Sequence, residues 1–321
     1  MKKSLIALAV AGALTAPMVA QADATLYGSM RLAVQSADDT ALNIKDESSR
    51  IGIKGDIDLG LDGTKGLFQW EANISTSDPY PSSVGSAVFS KRLALIGATG
   101  DWGTALIGKQ YHPHYLLINA PTLVINTADA ANGEWAHLGN DWHKRVDNTL
   151  AYASPVMGGF QAFAGAVIGA NTADNTDDVD GYNIAAKYSA NGLTLAASIA
   201  EVDKVSGATT SDNETWGLSA VYKMDALTVA ARYEDKEYGD GKEADAAEVA
   251  VVYGLGDGLN LKARYSKLDH NTKGEGDQWA AEVEQILGQG RVYANYYAFD
   301  NDAEANHAGV DALTVGYRVD F

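Results

Sequence analysis

Histidine is the potentially reactive residue that clusters most clearly in this chain. Four of the six histidines lie between residues 112 and 144, and they are His112, His114, His137 and His143. Their spacing matches no zinc-binding template, so we expect no metal ion there. Protonation between about pH 5 and 7 would add positive charge locally. The alternative, which we favour, is that these side chains pack against a protein wall or lie exposed at its edge.

The other reactive residue types form no motif of an enzyme or a cofactor site. The acidic run DNTDDVDG (174–181) is not an EF-hand, because Lys187 stands where a bidentate glutamate is needed. The segment DGTKG lacks the spacing of a phosphate-binding loop, and no serine lies in a nucleophile elbow. We therefore expect no covalent chemistry and no cofactor.

The first 22 residues have the features of a secretory signal peptide. Lys2 and Lys3 precede a short apolar stretch, and Ala20-Gln21-Ala22 is a small-x-small cleavage site. We expect residues 1–22 to be removed and residues 23–321 to form one exported domain. The full chain has 24 basic and 42 acidic residues and no cysteine. This acidic balance argues against nucleic acid as a partner.

Period-two alternation of apolar and polar residues dominates the rest of the chain. In GLNLKARYSKL (258–268), Leu259 and Leu261 share one face, while Lys262 and Arg264 share the other. The segments ETWGLSAVYKM, ALTVAARYED and GLTLAASIAE alternate in the same way. A period of two predicts β-strands.

The connections between these segments are of two kinds. Seven are short turns, such as LDGT, ANG, GDG and GQG. Eight are longer polar segments, around residues 37–47, 78–88, 112–144, 171–179, 205–213, 239–244, 270–276 and 301–308. Together they join sixteen antiparallel strands, and no proline interrupts an alternating segment.

The direction of the apolar face decides between a soluble and a membrane protein. Strands of about 9–11 residues suit a bilayer crossing, and aromatic residues near strand ends resemble interfacial girdles. These aromatic residues are Trp102, Phe160, Tyr188, Trp216, Tyr222, Trp279, Tyr317 and Phe321. We predict an all-β fold, a 16-stranded antiparallel transmembrane β-barrel with its apolar face toward lipid. The last strand, ALTVGYRVDF, would pair with the first to close the sheet. A secreted soluble β-protein is the alternative.

Several segments resemble the trimeric general porins of the Gram-negative outer membrane. TLYGSMRLAV (25–34) is similar to their opening strand, and SSRIGIKGDIDLGLDGTKGLFQWE (48–71) to their second and third strands. KRLALIGATGDWGTALIGKQYHPHY (91–115) resembles strands four and five entering the third loop. The resemblance implies a homotrimer in outer-membrane lipid and lipopolysaccharide, each pore narrowed by an inward-folded third loop. It also implies that Phe321, with Tyr317, signals to the outer-membrane assembly machinery.

The resemblance assigns candidate residues to the pore constriction, where a basic wall faces an acidic loop. The basic candidates are Arg50, Lys109, Arg31 and Arg92. The acidic candidates on the loop are Asp129, Glu134 and Asp141. The loop departs from the family because it lacks a Pro-Glu-Phe-Gly-Gly run. Its apolar stretch LLINAPTLVI is predicted to form a short helix or an apolar rim packed on the barrel wall.

These features predict a porin that passes small hydrophilic solutes and ions by passive diffusion. The acidic composition suggests a mild preference for cations. Two alternatives stay open: a channel selective for sugar or phosphate, and an outer-membrane barrel hydrolase. Scattered serine, histidine and aspartate residues leave the hydrolase possible, but nothing in the sequence supports it.

Overall fold

The structure is a computed structural model that describes residues 23–38, 40–76, 89–127, 135–138, 144–169, 178–202 and 213–321. Seventeen strand segments in these ranges form one antiparallel sheet. They are β1 (Asp23–Ala37), β2 (Asn43–Asp46), β3 (Arg50–Leu61), β4 (Thr64–Ile74), β5 (Phe89–Gly100), β6 (Gly103–Tyr111), β7 (Arg145–Ala153), β8 (Phe160–Ile168), β9 (Val179–Ala190), β10 (Leu193–Val202), β11 (Asn213–Met224), β12 (Leu227–Glu237), β13 (Glu243–Gly256), β14 (Leu259–His270), β15 (Gly274–Leu287), β16 (Gly290–Phe299) and β17 (Ala312–Asp320).

The sheet closes into a barrel of sixteen strands, as predicted. One edge of β1 pairs with β17, from Ser29 opposite Asp320 to Ala37 opposite Ala312. The other edge pairs with β2 and then β3, which are two pieces of one strand. Residues 43–46, predicted to lie in a connection, therefore belong to the wall, because they pair with the backbone of β1 despite their polar composition.

The short turns form where the sequence predicts them, because their residues tolerate positive φ. Asn191 and Gly192 join β9 to β10 with φ values of 50° and 79°, and Asp257 and Gly258 join β13 to β14 with 51° and 80°. Two consecutive positive φ values are typical of the type I′ turn, which matches the twist of a two-residue hairpin.

Side-chain burial is inverted relative to a soluble β-protein. On β14, the outward-facing Leu261 is 42 % exposed, whereas the inward-facing Arg264 is only 3 % exposed. The eight aromatic residues predicted to form girdles are all exposed. Apolar side chains thus cover the outside of the barrel and polar side chains fill its interior, which is the predicted orientation.

The described helical segments are short. The predicted apolar stretch of the third loop forms a π-helical turn, Tyr115–Asn119, followed by a 3₁₀ turn, Ala120–Thr122. Helix α1 (Asn301–His307) lies between β16 and β17, and its N-cap Asp300 accepts a hydrogen bond from the backbone N–H of Ala303 at 2.7 Å. Within the described ranges, no helix has the length and apolar character needed to span a membrane.

Candidate pore constriction

The described part of the third loop, residues 112–127 and 135–138, contacts inward-facing side chains of the strands β10 to β16. His114 Nε2 lies 2.8 Å from Glu234 Oε1 on β12. The hydroxyl of Ser219 on β11 donates to a loop carbonyl at 2.5 Å. The backbone N–H of Asn126 donates to Glu282 on β15 at 2.7 Å. The loop is therefore attached to one half of the interior wall.

Beneath the loop lies a buried ionic network. Arg232 pairs with Glu234, and its Nε lies 3.4 Å from Glu248 Oε1. Its Nη2 also donates to the carbonyl of Ala136 in the loop at 3.0 Å. These charged side chains are almost fully buried. Because the carboxylates are paired and covered, they contribute little field to the open interior.

The described histidines belong to this packed region. His112, His114 and His137 are 2 %, 2 % and 4 % exposed, as in the alternative of histidines packed against the wall. Burial, with a smaller effect of His114, lowers the pKa of His112 to about 3. Burial and the neighbouring Arg232 lower the pKa of His137. His112 therefore carries no charge between pH 5 and 7, and for this residue the pH-switch idea is wrong. His143 lies outside the described residues.

On the opposite side, a cavity of about 910 Å³ is lined by ten basic side chains, which we call the basic wall. The four predicted basic residues are all among them. The members are Arg31, Arg50, Lys91, Arg92, Lys109, Lys144, Arg145, Lys262, Arg291 and Arg318. Most lie on the adjacent strands from β16 through β17 and β1 to β7, so the closed topology brings both ends of the chain to this site.

Ion pairs hold several of these cations in place. Arg92 Nε lies 2.6 Å from Glu71 Oε1, and Arg50 Nη1 lies 4.0 Å from the same oxygen. Lys109 Nζ lies 2.6 Å from Asp147 Oδ2. Glu71 is therefore shared between two guanidinium groups, and one carboxylate cannot neutralise both.

The described basic wall keeps a surplus of positive charge. Six described carboxylates line the cavity or pair with the wall: Glu47, Glu71, Asp147, Glu282, Glu284 and Asp320. Ten cations against six carboxylates leave a surplus of four positive charges. Arg31 donates from Nε to Ser29 Oγ at 2.8 Å, and no carboxylate of the described chain lies within ion-pair distance of it. The predicted loop acids Asp129, Glu134 and Asp141 lie outside the described residues.

Several members of the basic wall were not predicted from the sequence. Lys144 Nζ lies 5.8 Å from the ring centroid of Tyr115, and Arg145 lies 5.6 Å from that of Tyr111. Burial, helped by the neighbouring Arg145, lowers the pKa of Lys144 to about 8. Arg318 could have been predicted from the sequence, because the alternation in the last strand turns it inward and that strand pairs with β1.

The predicted assembly residues lie at the seam of the barrel. Tyr317 and Phe321 are both half exposed on the outer surface. The backbone of Phe321 pairs with Gly28 on β1 through two hydrogen bonds of 2.8 and 3.1 Å. The terminal residue thus completes the ladder that closes the barrel.

No described group of three or more His, Cys, Asp or Glu side chains could hold a metal ion. A closed sheet that is apolar outside and carries a charged cavity inside defines a β-barrel membrane channel. The profile of the Gram-negative porin family matches residues 7–235 and 162–273. The chain therefore belongs to the Gram-negative porin family, and it is an outer-membrane channel and not an enzyme.

Two characterised relatives support this assignment. The chitoporin of Vibrio furnissii is 26 % identical over 254 residues, which span 74 % of this chain and 67 % of that protein. The major outer membrane protein P.IB of Neisseria meningitidis serogroup B is 35 % identical over 123 residues, which span 34 % of each chain.

Solved porin structures share the fold. The anion-selective porin from Comamonas acidovorans has a TM-score of 0.78 at 19 % identity, covering 94 % of this chain and 100 % of that one. OmpF of Salmonella typhi has a TM-score of 0.78 at 16 % identity, covering 93 % and 97 %. The trimer form of OmpT of Vibrio cholerae has a TM-score of 0.70 at 15 % identity, covering 94 % and 99 %.

Proposed function

We propose that this porin passes small hydrophilic solutes by passive diffusion and prefers anions to cations. The observation that carries the proposal is the surplus of four positive charges on the described wall of the cavity. A channel lined by one sign of charge concentrates ions of the opposite sign. Arg31, Arg50, Arg92 and Lys109 are then constriction residues, and the third loop narrows the pore from the other side.

This proposal replaces the expectation of a mild cation preference, which rested on the net charge of −18 over the whole chain. Position matters more than the total, because charges more than about 10 Å away are screened at 0.1 M salt. Buried acids such as Glu234 and Glu248 are already paired with Arg232. One porin of the same fold is described as anion-selective, which agrees with the proposal.

Reversal potentials in planar bilayers test the proposal directly. With the protein purified in detergent and a gradient of potassium chloride near 0.1 M, we expect chloride to be more permeant than potassium. The preference should fade as the salt concentration rises toward 1 M, because the Debye length shrinks to about 3 Å. A potassium preference at low salt would overturn the proposal.

We also propose the assembly that the family resemblance implies. Export would proceed through cleavage of residues 1–22, and Phe321 with Tyr317 would direct insertion into outer-membrane lipid and lipopolysaccharide. A homotrimer is supported by the trimer form of OmpT, which has the same fold. N-terminal sequencing of the mature protein and its mass in detergent would test the cleavage and the trimer separately.

A further inference from the structure

The cavity has two chemically different sides. One side is the basic wall. On the other side the third loop contributes Leu123, Val124 and Ile125 to the lining, followed by the polar Asn126 and Thr127. We call these three residues the apolar edge. A pore that only separated ions by charge would have no need of an apolar surface beside its cations.

The apolar edge is held in place from behind. Ile125 is buried in a cluster with Tyr297 and Phe299 of β16, and Val124 packs partly against the same cluster. The next residue, Asn126, donates from its backbone and its side-chain amide to Glu282, at 2.7 Å each. These contacts fix the loop against the barrel wall and leave Leu123 and Val124 half-buried beside the cavity.

An aromatic pair lies beside the basic wall. The rings of Tyr111 and Tyr115 stack at 5.7 Å with an interplanar angle of 12°. Both tyrosines line the cavity. The lining thus combines charged, aromatic and aliphatic surface, and a solute with one anionic end and one apolar end matches this combination.

We propose that the cavity preferentially binds organic monoanions with an apolar body, with the carboxylate on the basic wall and the body against the apolar edge. This inference rests on the proposed anion preference and adds the class of solute. Arginine is suited to the first contact, because its planar guanidinium binds carboxylates through two parallel hydrogen bonds. Leu123 and Val124 supply the second contact by removing apolar solute surface from water.

The area of the apolar contact sets the expected gain in affinity. Covering roughly 50 Å² of a benzene ring, at about 25 cal/mol per Å², corresponds to about an eightfold gain in affinity. Benzoate and acetate carry the same charge and the same carboxylate, so their comparison isolates this contact. We expect benzoate to reduce the single-channel chloride current at a concentration about eightfold lower than acetate does.

Two nearly isosteric variants make the test specific. Leu123→Asn and Val124→Thr keep the approximate shape of the side chains but make the apolar edge polar. In each variant, the ratio of the concentrations at which acetate and benzoate reduce the chloride current should move toward one. Leu123→Met keeps an apolar surface and should keep the wild-type ratio. Arg31→Gln should weaken binding of benzoate and acetate in parallel.

The chloride current and chloride selectivity of the same channels separate this inference from the proposed function. Leu123→Asn should still form chloride-conducting channels, which shows that the variant folds. Equal potency of benzoate and acetate in the wild type would overturn the inference, and so would a ratio that Leu123→Asn and Val124→Thr leave unchanged. Cation selectivity of the wild type would instead overturn the proposed function.

Discussion

Replacing Arg31 is the cleanest way to change the charge of the pore. Most cations of the basic wall lie within ion-pair distance of a carboxylate, so removing one of them also changes the pairing of an acid. Arg92, for example, lies 2.6 Å from Glu71. Arg31 instead donates to the hydroxyl of Ser29, and no described carboxylate pairs with it. Arg31→Gln should therefore lower the described surplus from four charges to three, and Arg31→Glu should lower it to two.

The size of the effect follows from the dimensions of the cavity. A sphere of 910 Å³ has a radius of about 6 Å, so an ion on its axis passes about 8 Å from a wall charge. At that distance the interaction is about 0.5 kcal/mol in water, and screening at 0.1 M salt reduces it to about 0.2 kcal/mol. Anions and cations respond with opposite signs, so each wall charge changes the permeability ratio about twofold.

Relative to the wild type, Arg31→Gln should therefore lower the chloride-to-potassium permeability ratio about twofold and Arg31→Glu about fourfold. Reversal potentials at 0.1 M potassium chloride measure these ratios, and the differences should nearly vanish at 1 M. Lys223→Gln is the matched control, because it removes the same charge from an exposed site outside the cavity. The reasoning is refuted if both Arg31 variants keep the wild-type ratio, or if Lys223→Gln changes it equally.

Three further predictions concern the network beneath the loop, the pH dependence and the seam. Glu234→Ala should lower the free energy of unfolding by about 3 kcal/mol in urea titrations, because it removes the nearer of the two carboxylates that pair with the buried guanidinium of Arg232. The exposed Glu214→Ala should change it little, and equal effects would contradict this account. Chloride preference should fall as the pH rises from about 7 to 9, because the pKa of Lys144 is lowered to about 8 and its side chain loses its positive charge over this range. Lys144→Gln should flatten this part of the pH profile, and a flat wild-type profile would be inconsistent with the assignment. Gly28→Val should reduce the fraction of compact barrel seen on unheated gels, since a Cβ there would lie 2.5 Å from Phe321 Cζ; normal yield would show that the seam can relax.

The architecture could be predicted from the sequence because a barrel wall imposes a strict local rule. Lipid on one side and water on the other require a period of two, so Leu261 and Arg264 reveal their opposite faces without any tertiary information. Turn chemistry is equally local, as Asn191 and Gly192 show with their positive φ values. Closure between β1 and β17 follows from the even number of strands and the alternation at both ends of the chain.

The sign of the net charge that lines the pore could not be predicted in this way, because it depends on which inward-facing residues the loop covers. Arg31 and Glu234 both face inward by the same alternation. The structure places Glu234 under the loop against His114, whereas Arg31 lines the cavity. The path of the loop is set by contacts with strands more than 80 residues away in the chain, such as that between His114 and Ser198. No periodicity within the loop reports on such contacts.

The loop therefore affects the pore by what it covers as well as by the space it fills. A carboxylate taken out of water needs a cation beside it, so Glu234 and Glu248 engage Arg232, and Glu282 engages Lys262. When the loop covers these acids, the cations that pair with them are neutralised as well. Because pairing beneath the loop is close to balanced, the field in the open passage depends on the few charges left over elsewhere. Of these, Arg31 has no described carboxylate within ion-pair distance, so a single substitution at this position should change the selectivity of a chain of 321 residues.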